Sequence, residues 1–177
     1  MMGALAQIIP DRVPADGEGG NSTVSIGGRD ADGEPFGYVD RTTGARGGGP
    51  DHDGAEGVPH PGANIASTPI EIAESALPIR FAEYGIVPDS GGAGKYRGGM
   101  AQTRKVRLLE EKAILQLRSD KRLHRPFGLQ GGEEGDPSSN VLRSPDGESK
   151  LLPVLGMSPM HRDEVIDEAA TRELRNL

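Results

Sequence analysis

Alternation of apolar and polar residues is the clearest signal in this chain, and it is the signature of strands with one buried face. In residues 22–26, Val24 and Ile26 alternate with Thr23 and Ser25. After a turn carrying Asp32-Gly33, residues 36–39 form a second short run, so 22–39 is expected to be a β-hairpin. Residues 79–87 read as a strand ended by Pro88. Residues 100–109 and 113–118 follow, the latter with Ala113, Leu115 and Leu117 on one face and Gln116 and Arg118 on the other. Glu110-Glu111-Lys112 lies between those two, and the pair is expected to form a hairpin. Shorter strands are expected at 140–143 and 150–155, divided by a turn at Asp146-Gly147. Helical spacing is weaker. Residues 1–9 read as a short helix stopped by Pro10, and 70–75 as a turn of helix or a short strand. Residues 161–177 read as a polar helix with Val165, Ile166, Ala169, Ala170 and Leu174 as its sparse stripe. The expected class is α+β: a single segment, β-rich, mostly antiparallel, with long Gly/Pro loops and a helix at each end.

Composition sharpens that picture. Only 34% of the 177 residues are hydrophobic and there is no Trp, while 27 are Gly and 14 are Pro. A chain so poor in large anchors either orders badly alone or completes its packing against something else, and the second reading is favoured. The absence of Cys excludes disulfides, thiolate metal sites and a Cys nucleophile, and suits a reducing cytoplasm. No apolar run reaches the roughly 18–20 residues of a membrane span, so a soluble, cytoplasmic protein is expected. Net charge is −7, but residues 95–125 hold ten bases against three acids. That stretch can attract an anion or an acidic surface. Nucleic acid is not expected, with pI near 5.1 and few aromatics beside the bases.

Two loops stand out. Residues 44–64 contain almost no apolar side chains, yet gather Asp51, His52, Asp53, Glu56 and His60. Such ligands can hold a divalent cation, but no i, i+4 His pair fixes them, and a solvated or substrate-covering loop is the favoured use. Residues 88–99, PDSGGAGKYRGG, set five glycines among Asp89, Ser90, Lys95, Tyr96 and Arg97. Lys95 and Arg97 are candidates to bind a carboxylate or phosphorylated group, and the amides of Gly91, Gly92 and Gly94 to form an anion nest. The competing structural reading has Asp89 and Ser90 capping a turn that Arg97 braces. His124 is a possible acid/base, though a surface role is the more common one for such a residue. No phosphate-binding loop of the G-x-x-x-x-G-K-[ST] form and no G-x-S-x-G elbow occurs.

Taken together, GALAQIIPDRVPADGEGG, GARGGGPDHDG, TPIEIAES, LPIRFAEYGIVPDSGGAGKYRGG, RSDKRLHRPFGLQGG and SPMHRDEV resemble the C-terminal portion of the hydantoinase B/oxoprolinase family. The resemblance implies one component of an ATP-dependent hydrolase that opens a cyclic amide. A hydantoinase A-like ATPase subunit would be its partner and the nucleotide site would belong to that partner. The metal-binding motifs of the B component would lie in an N-terminal half that this sequence does not match, nor does it match the family's glycine-rich tail. A fragment or split subunit is therefore expected, binding no cofactor by itself, with ATP and a divalent metal held elsewhere in the assembly. The resemblance implies that an ATP-derived phosphoryl group activates the amide oxygen before water attacks. The alternative is a non-catalytic β-rich interaction module.

Overall fold

The structure is a computed structural model that describes residues 2–19, 22–59 and 65–170. Nine strands form two antiparallel sheets within those residues. The first sheet runs β2 (Pro35–Arg41), β1 (Thr23–Arg29), β5 (Lys112–Arg118), β8 (Leu155–His161). The second runs β3 (Ile79–Ile86), β4 (Gln102–Leu108), β9 (Val165–Ala170), β6 (Ser138–Arg143), β7 (Ser149–Leu151). Two short helices complete the described elements, α1 (Met2–Leu5) and α2 (Ile70–Ala76). The mostly antiparallel β-rich class read from the sequence is the observed one. No described helix is long and apolar enough to cross a membrane.

One face of each sheet turns inward, and the core forms between them. Val24, Ile26, Leu115, Leu117 and Met160 from the first sheet meet Ile79, Val106, Leu108, Leu142 and Ile166 from the second. Register explains why: Val24 is opposite Leu117 and Ile26 opposite Leu115, so period-two alternation places both pairs on one face. Burying each such side chain contributes about 1.5–3 kcal/mol. The β1–β2 hairpin forms as its turn residues direct. Asp30 Oδ1 accepts from the amides of Asp32 and Glu34, and Gly33 takes φ +86°.

Three expectations need correction. Strands β4 and β5 do not pair with each other. They belong to different sheets, and residues 109–111 carry the chain across the core from one to the other. Alternation shows which face of a strand is buried but not which neighbour completes its ladder, and here β5 is bracketed by β1 and β8 instead. Residues 161–170 are not helical: His161 ends β8 and Val165–Ala170 is β9, the turn between them carrying Asp163 at φ +65°. The helical reading failed because Asp167 and Glu168 look like solvent residues, yet are 4% and 7% exposed in a central strand. The rest of the expected helix lies outside the described residues. Finally, the strand expected at 150–155 divides into the end of β7 and the start of β8, with Leu152 buried between them. Pro159 interrupts no ladder, since β8 is an edge strand.

A bulge in β3 positions the polar end of the core. Phe81 pairs with Val106, whereas Glu83 pairs with Lys105, so the register slips by one around Ala82. The slip keeps Glu83 outside, 2.8 Å from Lys105 Nζ, and sets the half-exposed Tyr84 ring over the guanidinium of Arg104. Rings of Tyr38, Phe81 and Tyr84 then run edge to face toward one end of the sandwich.

Candidate functional site

At that end, where β1, β4 and β6 begin and β2, β5 and β9 finish, the loops enclose a cavity of about 350 Å³. Four loop segments build it, residues 10–18, 42–50, 90–102 and 126–136. They are joined by backbone hydrogen bonds more than by side chains. Ala15 N–H donates to Gly48 O, Glu18 N–H to Ala45 O, Gly99 N–H to Arg46 O, and Asp16 N–H to Phe127 O, all at 2.9–3.1 Å. Gly54 N–H donates to Arg97 O at 2.7 Å and Glu133 N–H to Ala93 O at 3.0 Å. Chains this close leave no room for side chains. A Cβ on Gly48 would lie 2.7 Å from Tyr96 O, and one on Gly47 would strike Ala15 O. The glycines therefore serve backbone-on-backbone packing, and the resulting wall is a shaped surface instead of a flexible linker.

The candidate residues of the 88–99 loop divide into two sets. Ser90, Gly92, Gly94, Lys95 and Tyr96 line the cavity, and Lys95 Nζ lies 5.1 Å from the centre of the Tyr96 ring. Asp89, Gly91 and Arg97 are not part of its lining. Ser90 ties the loop shut: its hydroxyl donates to Val87 O at 2.7 Å and accepts from Ala101 N–H at 2.8 Å. Asp89 takes φ +55° at the turn, and Gly91 packs its backbone on Gly98 O. Arg97 faces the other loop, its N–H donating to Asp53 Oδ1 at 2.8 Å and its Nη2 lying 4.0 Å from Glu56 Oε1.

That arrangement also bears on the acidic loop. Asp53 and Glu56 are directed at Arg97, while His52 Nδ1 contacts Asp51 Oδ1 at 2.6 Å on an exposed face. His60 lies outside the described residues. No group of three His, Asp or Glu side chains able to hold a metal occurs among the described residues. His124 is exposed and away from the cavity lining.

Sequence reasoning missed the most unusual side chains at this end. Arg104 is 1% exposed and pairs with Asp40 at 2.6 Å, between the two sheets. Asp40 also accepts from Tyr38 Oη at 3.0 Å, and Arg104 Nη2 donates to Ser67 Oγ at 2.7 Å. Burial and then the neighbouring Asp40 charge raise the Tyr38 hydroxyl's pKa, keeping it protonated at neutral pH. Beside this pair, Glu168 lines the cavity and accepts from Thr42 Oγ1 at 3.0 Å. Burial pushes its carboxyl up to about 7, even though Arg104 and the Thr42 bond favour the charged form. Glu18 is the second such carboxyl, also raised to about 7 by burial. A glutamate set among glycines in residues 17–20 was the available signal, but only the fold reveals what covers it.

Comparison with known proteins agrees with this architecture. The hydantoinase B/oxoprolinase family model matches residues 1–172. An uncharacterized protein of Methanocaldococcus jannaschii is 38% identical over 158 residues, spanning 89% of this chain and 26% of that protein. The B component of a candidate D-/L-hydantoinase from a Pseudomonas species is 32% identical, spanning 86% of this chain and 25% of that protein. 5-Oxoprolinase 1 of Arabidopsis thaliana is 32% identical across 64% of this chain and 9% of the plant protein. Among solved structures, the ATP-dependent caprolactamase of Pseudomonas jessenii superposes with a TM-score of 0.76 at 23% identity, over 94% of this chain and 30% of that one. Acetone carboxylase shares the fold with a TM-score of 0.67 at 17% identity, over 86% of this chain and 25% of that one. The chain thus spans less than a third of each relative and structure it matches here. By a match that runs along nearly its whole length, the chain belongs to the hydantoinase B/oxoprolinase family.

Proposed function

We propose that this chain is a component of an ATP-dependent enzyme that opens a cyclic amide, and that its glycine-walled cavity forms part of the substrate site. The observation that carries this reading is the family match over residues 1–172, which includes every loop that lines the cavity. Relatives of the family carry the names 5-oxoprolinase and hydantoinase, and a structural neighbour is a caprolactamase. All three names refer to amide-containing rings. A cavity near 350 Å³ sits at the small end of ligand sites and suits a single ring of this kind.

In this proposal Lys95 holds the anionic group of the substrate or of a phosphorylated intermediate. Lys95 is among the residues that line the cavity, and the Tyr96 ring lies 5.1 Å from its Nζ. Gly92 and Gly94 bring the backbone close to the ligand, and Ser90 fixes the loop's curvature. Asp89, Gly91 and Arg97 shape the loop from outside, with Arg97 latched to the 51–56 loop. ATP and a divalent ion belong in the proposal to a hydantoinase A-like partner and to the remaining body of a B-type component. This chain has neither a phosphate-binding motif nor, among its described residues, a three-ligand cluster. Assembly with that larger body accounts for the outer face of the first sheet, where Val39, Ile114, Leu155 and Met157 stand exposed. The absence of Cys is compatible with a cytoplasmic site of action.

The test is co-expression of the chain with the reading frames that neighbour it, followed by assay of 5-oxoproline and hydantoin opening with and without ATP. Ring opening that requires both ATP and this chain is the expected result. A complex that opens the ring equally well when this chain is omitted would refute the proposal.

A further inference from the structure

The outward face of the first sheet carries charge of one sign only. Register aligns that face into rows across the four strands. Arg41, Thr23, Arg118 and Leu155 form one row, and Val39, Ser25, Gln116 and Met157 the next. In the third, Gly37 lies beside Gly27, and Ile114 beside Pro159. Lys112 faces His161 in the fourth. No Asp or Glu occupies an outward position in any of these strands, although the chain holds 27 acids against 20 Lys and Arg. Acids in the turns at 30–34 and 110–111 lie past the Lys112 row. The uncompensated end is therefore that of Arg41 and Arg118.

Those two arginines stand on strands about 10 Å apart, with Thr23 between them. Neither has an ion-pair partner among the described residues, whereas Arg80, Arg104, Arg143 and Arg162 elsewhere are all paired. Two exposed guanidiniums in one row suit carboxylates, which each can grip through two parallel hydrogen bonds. Beside that row the face turns apolar. Val39, Ile114 and Met157 are 51–69% exposed, and a Cβ on Gly37 would meet nothing within 4 Å. A shallow depression thus adjoins projecting apolar side chains, and Arg and Met are residue types that protein interfaces favour. A second copy of this face supplies no carboxylate, so stacking two copies sets base against base. The row also adjoins the cavity: Arg41, Thr23 and Arg118 are chain neighbours of Thr42, Ser22 and Ser119, which line it.

We propose that this face docks a partner protein whose contact surface is apolar at its centre and sets carboxylates over the Arg41–Arg118 row. A partner so seated lies beside the cavity. That it belongs to an ATP-dependent assembly rests on the function proposed above, whereas the chemistry of its surface does not.

The test co-expresses the full 177-residue chain with the products of its neighbouring reading frames and measures the Kd of the complex. Arg41→Glu combined with Arg118→Glu should weaken binding about 30-fold or more. Both side chains are exposed, and an unchanged circular dichroism spectrum checks that the variant folds. Ile114→Asp should weaken it about tenfold. Lys150→Glu, an exposed charge reversal on β7 of the other sheet, should leave it unchanged. Raising salt from about 0.05 to 0.5 M should slow association of the unmodified chain more than that of the double variant. Equal affinity of the double variant and the unmodified chain overturns the proposal, as does the lack of any stable complex. Self-association of the chain through this face in sedimentation overturns it too. So does binding to phosphatidylserine vesicles that the double variant loses. The two proposals fail separately. A complex that assembles through this face but opens no ring leaves the docking intact, and an active complex indifferent to the reversals overturns the docking alone.

Discussion

The body of the sandwich and its loop-bearing end are held together by different means. In the body, side chains do the work: Ile26, Leu108, Met160 and Ile166 are fully buried between two sheets. At the loop end, chains approach so closely that glycine replaces the side chain, and backbone bonds such as Gly54 N–H to Arg97 O carry the cohesion. The comparison resolves an apparent shortage in the composition. A chain only 34% hydrophobic still builds a core because its apolar residues are concentrated on the inner faces of strands. It also shows why the cavity lies where it does. Backbone walls leave gaps that no side chain fills, whereas packed strands do not.

The largest expected effect strikes the boundary between the two regions. Replacing Asp40 by Ala strands the Arg104 guanidinium between the sheets, and breaking a buried pair in this way costs about 3–5 kcal/mol. Urea unfolding of the variant measures it. A loss under about 1 kcal/mol would mean that the pair does not fasten the loop end to the body.

Next in size is a dependence on pH. Glu18 and Glu168 both have carboxyls raised from 4.5 to about 7 in the folded chain. The folded state therefore binds more protons than the unfolded state between those values. Stability is full below about pH 4.5 and declines as pH rises through 7, opposite to the trend set by ion-paired carboxylates. For the buried Glu168 the loss is on the order of 3 kcal/mol, and Glu168→Gln should remove its share of the slope. Denaturant midpoints between about pH 4.5 and 8 decide the matter.

A smaller effect sharpens the distinction between glycines. In Gly54→Ala the new Cβ meets Arg46 O and Gly99 N, so the two loops must separate, at about 1–3 kcal/mol. Gly85→Ala, in strand β3, meets nothing within 4 Å and has no positive φ, and it should be neutral or slightly stabilising. Thermal unfolding of the two variants side by side tests whether glycine acts by close approach. Equal effects would refute it.

This division also marks what could be read from the chain before its fold was seen. The β1–β2 hairpin was legible because Asp30 and Gly33 encode its turn locally. In the second sheet β3, β4 and β6 were legible as strands but β9 was not, because it presents Asp167 and Glu168, whose partners Arg143 and Thr42 are remote in sequence. The 88–99 loop was recognisable by its glycines, and five of its eight candidate residues do line a cavity. The 44–64 loop was also singled out, but its docking was not legible, since the pairing of Gly48 with Ala15 or of Arg46 with Gly99 leaves no pattern along the chain.

The smallest expected effect concerns Arg97, and it separates bracing from binding. Its backbone N–H is the group that Asp53 holds at 2.8 Å, and that bond survives truncation of the side chain. The guanidinium itself is about half exposed and reaches Glu56 only at 4.0 Å, a geometry worth about 0–1 kcal/mol. Arg97→Ala should thus lower stability by less than about 1 kcal/mol, whereas Asp53→Ala removes the hydrogen bond between the loops and should cost about 0.5–1.5 kcal/mol. Because Arg97 lies outside the cavity lining, affinity for a small lactam such as 2-pyrrolidinone should be the same in Arg97→Ala as in the unmodified chain. Weakened lactam binding with unchanged unfolding would instead place the guanidinium at the ligand, and the 88–99 loop would then bind through both of its basic side chains.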